Sequence, residues 1–406
     1  MNNMKILWIV NIILPALSRE LNLTVSPFGG WLVGLSEQLK NCENIDLHIV
    51  TVRKKTKSFS KNIDGIYYYT VDNSEEQWKH LQREIMPDVV HIHGTEFNYG
   101  LNFIKANGAE NVVFSIQGLV SVIGKYYLAG ISTLDILKNI TLRDILRRDT
   151  LFQAQKKFKK RGLVEKELFN TCNYVIGRTE WDKAHTLKLN PKMTYFHGGE
   201  ILRNSFYESH KWDYKNCEPY TIFLSQAGYP IKGLHQVLKA AYLLKNKYPQ
   251  LKIKIGGKKI EEEGWMNKLK INGYANYVKN LIKHLNLKNN VEFIGFLSEE
   301  QMKEQYLKSN VFVCPSSIEN SPNSLAEAQI LGVPNVSSYV GGIPDMVNHN
   351  KNGYLYRFEE VEMLAFYIDE IFKNKEINHF FEEKIAQRHN PNIITQQLLQ
   401  IYNSVK

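Results

Sequence analysis

Short apolar runs alternate along this chain with longer stretches whose apolar positions recur every three or four residues. The runs at 5–10, 47–52, 89–92, 112–116, 174–176 and 194–196 read as strands, and a second series follows at 221–224, 251–255, 291–294, 311–314, 335–337 and 354–356. Helical spacing fills most of the gaps, as in Leu32 to Leu39. Such alternation predicts parallel sheets with helices on both faces. Two series of about six strands predict an α/β protein of two Rossmann-like, doubly wound domains.

The division falls in 203–219, RNSFYESHKWDYKNCEP, which is polar and aperiodic and ends at Pro219 before a fresh strand. The expected domains are 1–205 and 206–385. In the remaining 386–406, Asn392 is expected to cap a final amphipathic helix carrying Ile393, Ile394, Leu398, Leu399 and Tyr402. The opening stretch MNNMKILWIVNIILPAL resembles a leader peptide in outline. Asn11 and Pro15 interrupt it, however, and it is too short to span a bilayer, so a first strand is the better reading. No other stretch is apolar and long enough for a membrane span. The expectation is a cytoplasmic protein, soluble or peripheral on the inner face of the cell membrane.

Length changes the picture little: 406 residues suit two domains. Four cysteines far apart in sequence, without a CxxC, fit a reducing compartment. Charge says more. Lysine and arginine number 51 against 41 acids, and Arg143, Arg147, Arg148, Lys156, Lys157, Lys159, Lys160 and Arg161 concentrate that excess. With Leu151, Ala154 and Phe158 as a stripe, the region reads as a basic amphipathic helix near Lys156. A solvated helix face and a contact with an anionic membrane surface both remain open. No nucleic-acid motif accompanies the charge, so nucleic acid is not an expected partner.

The chemistry concentrates in 319–345, ENSPNSLAEAQILGVPNVSSYVGGIPD. Glu319 and Glu327 stand eight positions apart. Between them Ser321 suits an N-cap and Pro322 a first helical position, while Gly332 and Pro334 stop the helix. A helix N-terminus favours anions, and the carboxylates beside it accept hydroxyls. An anion with several hydroxyls describes a sugar nucleotide.

With Gly332-Val333-Pro334 and Gly341-Gly342-Ile343-Pro344-Asp345, this segment resembles the retaining group 1 (family 4) glycosyltransferases of the GT-B fold. The resemblance implies two Rossmann-like domains facing across a cleft, with the last helix crossing back onto the N-terminal domain. It implies transfer of a hexose-type sugar from a nucleoside diphosphate to a hydroxyl, with retention and without a metal or other cofactor. The acceptor would be a saccharide or lipid-linked saccharide, in the synthesis of cell-surface polysaccharide (capsule, exopolysaccharide or lipopolysaccharide).

Carried onto this chain, the resemblance gives Glu327 the donor ribose and Glu319 the transferred sugar. It gives Asn323, Ser324 and Leu325 the distal phosphate through their amides. Lys232, before Gly233, matches a diphosphate-binding lysine, but Ala227 occupies the place of the arginine that usually assists it. Gly256 and Gly257 leave room for the donor, and Phe293 lies in the segment that runs along the nucleobase. In the first domain, Pro27-Phe28-Gly29-Gly30-Trp31 resembles the family's first loop, with Gly29 and Gly30 near the diphosphate. This loop is not GxGxxG, which disfavours a nicotinamide dinucleotide. His93 and Glu96 match the fourth-strand motif, which the resemblance puts at the cleft edge, and Gln117 stands where many relatives carry histidine; since glutamine takes no proton, either His93 serves as the catalytic side chain in its place or no side-chain base is needed.

Arg178 and Glu180 read either as an acceptor contact or as a surface salt bridge with each other. His91 and His93 share a strand face, yet no third ligand and no Asp-x-Asp accompany them, so no metal is expected. The rival readings are another GT-B enzyme, either a sugar-nucleotide epimerase or a sugar phosphorylase, and a non-catalytic sugar-nucleotide binder.

Overall fold

The computed structural model describes residues 3–26, 29–53, 58–260, 270–374 and 383–406. Pro27 and Phe28 of the first loop lie outside them. The described chain forms two compact α/β units. One comprises Met1–Val122, Lys159–Arg203 and Gln387–Lys406, the other Ile123–Phe158 and Asn204–Ala386.

The first unit holds an eight-stranded sheet of β1 (Met4–Val10), β2 (Ile45–Val52), β3 (Phe59–Ile63), β4 (Ile66–Val71), β5 (Val89–His93), β6 (Val112–Ser115), β7 (Tyr174–Gly177) and β8 (Thr194–His197). Their order is β3-β4-β2-β1-β5-β6-β7-β8, and every pair is parallel except β3 with β4. All twelve expected strands are present; the β3–β4 hairpin was not foreseen. Asp64 and Gly65 both take positive φ at its tip, and Ile63 pairs with Ile66, so a two-residue turn sets the register.

The second unit carries β9 (Glu218–Leu224), β10 (Lys252–Gly256), β11 (Val291–Gly295), β12 (Ser309–Cys314), β13 (Asn335–Ser338) and β14 (Tyr354–Tyr356). They form a parallel sheet ordered β11-β10-β9-β12-β13-β14. This is the Rossmann order, and strand order reverses between β9 and β12. In the first sheet it reverses between β1 and β5. Ligands in such sheets bind beyond the carboxyl ends of the strands flanking that point, which directs attention to the loops after β9, β12, β1 and β5.

Each unit has its own core. Leu7, Ile9, Val90, Ile92 and Phe114 centre the first, and Ile222, Leu224, Val237, Ile253 and Val311 the second. The helix Pro391–Val405 packs in the first unit, where Trp8 Nε1 donates to Tyr402 Oη at 2.8 Å. The Pro391–Val405 helix is capped by Asn390 rather than by Asn392. Its Oδ1 accepts from the amides of Asn392 and Ile393, and Pro391 takes the first helical position.

Residues 123–158 join the second unit although they lie within the first half of the sequence. Thr141 Oγ1 donates to the Ile271 carbonyl at 3.0 Å, and His235 Nε2 to the Ala129 carbonyl at 2.8 Å. The basic helix runs over Leu151–Thr171. Its expected stripe is used internally: Leu151 and Phe152 pack on the second core, and the Phe158 ring lies 4.8 Å from that of Tyr127. No helix among the described residues is long and apolar enough to cross a membrane.

Candidate active site

The loops leaving β9 and β12 interlock. After β9 the chain makes a turn at Pro230–Lys232, and Gly233, at φ +68°, opens the helix Leu234–Leu244. A Cβ on Gly233 would overlap the Pro315 carbonyl, so this approach requires glycine. The Ser317 amide donates to the Ile231 carbonyl at 2.8 Å. The closure brings Lys232 Nζ to Glu319 Oε1 at 2.5 Å, with only 14% and 16% of the two side chains exposed. Ser316 Oγ donates to the same carboxylate oxygen at 2.8 Å, and Ser338 Oγ holds the Ser316 carbonyl.

Burial by itself would lower the Lys232 pKa. The charges of Glu319 and Tyr229 outweigh it and hold the ammonium above the ordinary lysine value, so Lys232 is a cation at neutral pH. The Gly-Gly loop fixes Glu319 from the other side. The Gly342 amide donates to the Glu319 carbonyl at 3.1 Å, and Gly341, at φ +54°, passes where a side chain would strike that same carbonyl.

Four residues on, the helix Asn323–Ile330 begins. Its N-cap is Pro322, one residue later than expected, and Ser321 is not the cap: its buried hydroxyl meets Met346 Sδ at 3.6 Å. Pro322 offers no side-chain capping bond, and the first-turn amides carry the positive end of the helix. Asn323 Oδ1 is buried without a partner among the described residues. Glu327 is buried one turn in. The Tyr306 hydroxyl lies 3.4 Å from Glu327 Oε2 and donates to the Ser324 carbonyl at 2.8 Å.

Leu325 is fully buried, which leaves only its backbone to meet a ligand. Gly256 ends β10, and the Gly257 amide donates to the Gly295 carbonyl at 2.8 Å. Phe293 packs against the core, whereas Phe296, three residues later, is exposed. Ala227 is also a core residue, so the position where an arginine was expected is used for packing.

In the first unit, His93 ends β5 and is fully buried. Its ring centroid lies 3.8 Å from that of His91, 4.5 Å from that of Trp8 and 5.5 Å from that of Trp31. Both His93 nitrogens are buried without a hydrogen-bonding partner among the described residues. Burial, reinforced by His91 and Arg178, pushes its pKa well below the ordinary value and keeps it neutral. His91 contacts the Tyr402 hydroxyl at 2.7 Å through Nδ1 and the Ser115 hydroxyl at 2.6 Å through Nε2.

Arg178 does not pair with Glu180. It pairs with Glu200 at 2.5 Å, and both side chains are buried. Glu180 is exposed and reaches Lys183 instead, at 3.4 Å. Thr179 starts the helix between Arg178 and Glu180, so the two side chains leave on different elements. His93, Arg178, Glu200, Trp31, Ser115 and Leu398 help line a small pocket partly open to solvent.

Glu96 and Gln117 close around Gly94. Burial raises the Glu96 pKa to about 7. Gly29 caps the helix Gly30–Lys40 in a left-handed conformation, and a Cβ on Gly30 would lie 2.8 Å from Arg203 Cγ.

Three contributors lay beyond sequence reading. Ser316 orients Glu319, Tyr306 supports Ser324 and Glu327, and Glu165 accepts from Thr95 Oγ1 and the amides of Val120 and Ser121. Ser316 offered one signal, a hydroxyl three residues before a loop carboxylate. Tyr306 and Glu165 looked like ordinary helix residues.

Residues 208–388 match the family model described as glycosyl transferases group 1. An uncharacterized glycosyltransferase of Haemophilus influenzae is 25% identical over 245 residues, which cover 59% of this chain and 63% of that protein. The amylovoran biosynthesis glycosyltransferase AmsK of Erwinia amylovora is 26% identical over 229 residues, 45% of this chain and 56% of that protein. Both alignments thus span less than two thirds of the relative's own length.

Sucrose-phosphate synthase from Thermosynechococcus elongatus superposes with a TM-score of 0.71 at 16% identity, over 99% of each chain. Anabaena HepE, solved with UDP-glucose, gives 0.66 at 16% identity, over 99% of this chain and all of that one. These likenesses establish the fold, which is that of the GT-B glycosyltransferases.

Proposed function

We propose that this protein is a retaining glycosyltransferase that moves a hexose-type sugar from a nucleoside-diphosphate sugar to a hydroxyl acceptor without a metal. The observation that carries the proposal is the Lys232–Glu319 pair set beside the helix Asn323–Ile330, with Glu327 buried one turn in. All of it lies within the stretch that matches the group 1 family.

The roles follow from charge. As the glycosidic bond breaks, the leaving diphosphate gains negative charge, and the Lys232 cation and the first-turn amides stabilise it. Glu319 accepts hydroxyls of the transferred sugar, and Glu327 accepts those of the ribose. The acceptor oxygen bonds to the anomeric carbon from the side the diphosphate leaves, and its proton passes to a diphosphate oxygen. No side-chain base is then needed, consistent with Gln117, which cannot take a proton. The role of AmsK in amylovoran synthesis supports cell-surface polysaccharide as the product and a saccharide or lipid-linked saccharide as acceptor.

The test is incubation of the purified protein with a panel of sugar nucleotides and saccharide acceptors. Expected are a rise in melting temperature with one nucleoside diphosphate, nucleotide release that depends on acceptor, and a product whose anomeric proton coupling matches that of the donor. Activity should survive EDTA. Donor consumption without acceptor would point to an epimerase, and activity lost to EDTA and restored by manganese would overturn the metal-free reading.

A further inference from the structure

Six large apolar side chains stand exposed within residues 126–146: Tyr126 at 49%, Leu134 at 67%, Leu137 at 53%, Leu142 at 61%, Ile145 at 61% and Leu146 at 75%. Five of them lie on two consecutive short helices, Thr133–Lys138 and Leu142–Arg147. Each helix is anchored by its other face. Ile136 and Asp144 are buried, Asn280 Nδ2 donates to Asn139 Oδ1 at 2.8 Å, and Thr141 Oγ1 donates to the Ile271 carbonyl. Ser132 caps the first helix, and a Thr141–Asp144 capping box starts the second. The aliphatic side chains are therefore held outward by a satisfied frame.

Charge selects the occupant. Residues 123–158 contain seven basic and three acidic side chains. The acids are engaged: Asp135 with Ser132, Asp144 in its capping box, and Asp149 with Lys157 and Arg143. Lys125, Lys138, Arg147 and Arg148 are exposed, the last two directly after Leu146. Aliphatic side chains beside cations that form no ion pair among the described residues match the boundary of an anionic bilayer, where apolar groups enter the acyl region and cations meet headgroups. An apolar protein partner would leave those cations unanswered.

We propose that residues 126–148 are a docking face for an anionic lipid bilayer. The face is not the stripe of the helix Leu151–Thr171, which packs internally. It is also tied to the candidate site: Ser317 Oγ donates to the Tyr126 carbonyl at 3.1 Å, two residues from Glu319. Lipid docking would thus bring a lipid-linked acceptor to the unit that carries Lys232. Docking itself does not rest on the transfer reading.

The experiment is sedimentation of the full chain with vesicles of phosphatidylcholine alone or mixed with phosphatidylglycerol. Wild-type protein should bind the mixed vesicles, less so as salt rises, and bind pure phosphatidylcholine weakly. Leu142→Asp/Leu146→Asp should weaken binding at least tenfold. Arg147→Ala/Arg148→Ala, which alters only exposed side chains, should weaken it by about fivefold per charge. Melting temperature and nucleotide-induced stabilisation of both variants should match wild type, which separates lost docking from lost folding and from failure of the donor site. Absence of binding to anionic vesicles, or equal binding by both variants, overturns the proposal. So does a wild-type dimer in light scattering that Leu142→Asp/Leu146→Asp converts to monomer, since the face would then belong to a second copy.

Discussion

Lys232 and Glu319 neutralise one another within a pocket of hydrogen bonds, which makes each sensitive to loss of the other. Removing one member of a buried pair leaves an uncompensated charge. Lys232→Ala and Glu327→Ala should each lower turnover at least tenfold, about 1.4 kcal/mol of activation energy, read as the initial rate of nucleotide release at saturating donor. Wild-type rates from either variant would remove these residues from the site. Gly341→Ala acts differently. It places a methyl group against the Glu319 carbonyl at a positive φ, so it should cost more than about 1 kcal/mol in urea denaturation and displace the carboxylate as well. At this scale the sequence revealed residue types but not partners. Lys232 and Glu319 were each nominated, yet they lie 87 positions apart and only the β9–β12 adjacency makes them a pair. For Arg178 the sequence leaves open an acceptor contact or a pair with its near neighbour Glu180, whereas the loop after β8 supplies Glu200.

The helix Pro391–Val405 shows what a single hydroxyl does for an element. Tyr402 is fully buried, accepts from the Trp8 indole and meets His91. Tyr402→Phe would leave the buried indole N–H and an imidazole nitrogen unsatisfied, at about 1–3 kcal/mol. The expected readout is a lower urea midpoint with altered fluorescence from Trp8; an unchanged midpoint would mean that the helix is held by Ile394, Leu398 and Ile401 alone. Elements were the most legible level in the sequence, because two-residue and three-to-four-residue periods are local properties. The missed hairpin had a local signal too, the Asp64-Gly65 pair, but the middle of β3 is exposed and polar and the strand lacks an apolar run. The cap moved from Asn392 to Asn390, where neighbouring polar residues compete on equal terms, and from Ser321 to Pro322, where the serine hydroxyl is taken up by Met346. Membership of 123–158 in the second unit could not be read at all, since partners such as Ile271 and His235 lie more than a hundred residues away.

Across the whole molecule, buried histidines dominate the pH response. Burial lowers His91 to about 3 and His48, His235 and His389 to about 4, and His93 falls well below its ordinary value. A histidine with a depressed folded pKa binds fewer protons folded than unfolded, so stability should fall as pH drops from about 6.5 towards 4. Glu96, raised to about 7, has the opposite sign: its folded form holds the extra proton, and its contribution is lost as pH rises from about 4.5 to 7. Glu165 is raised in the same direction. Five histidines outweigh two acids, so the melting temperature should decline on acidification. Glu96→Gln should steepen that decline and raise the melting temperature above pH 7; a melting temperature flat from pH 7 to 4 would contradict the assignment. The Trp8–Tyr402 bond has one more consequence, for synthesis. Its partners are separated by 394 residues. At ribosomal speeds roughly 20–80 s elapse between them. Throughout that interval Trp8 is without the helix that covers its indole, so the newborn chain presents an apolar seam to chaperones until Tyr402 has been made.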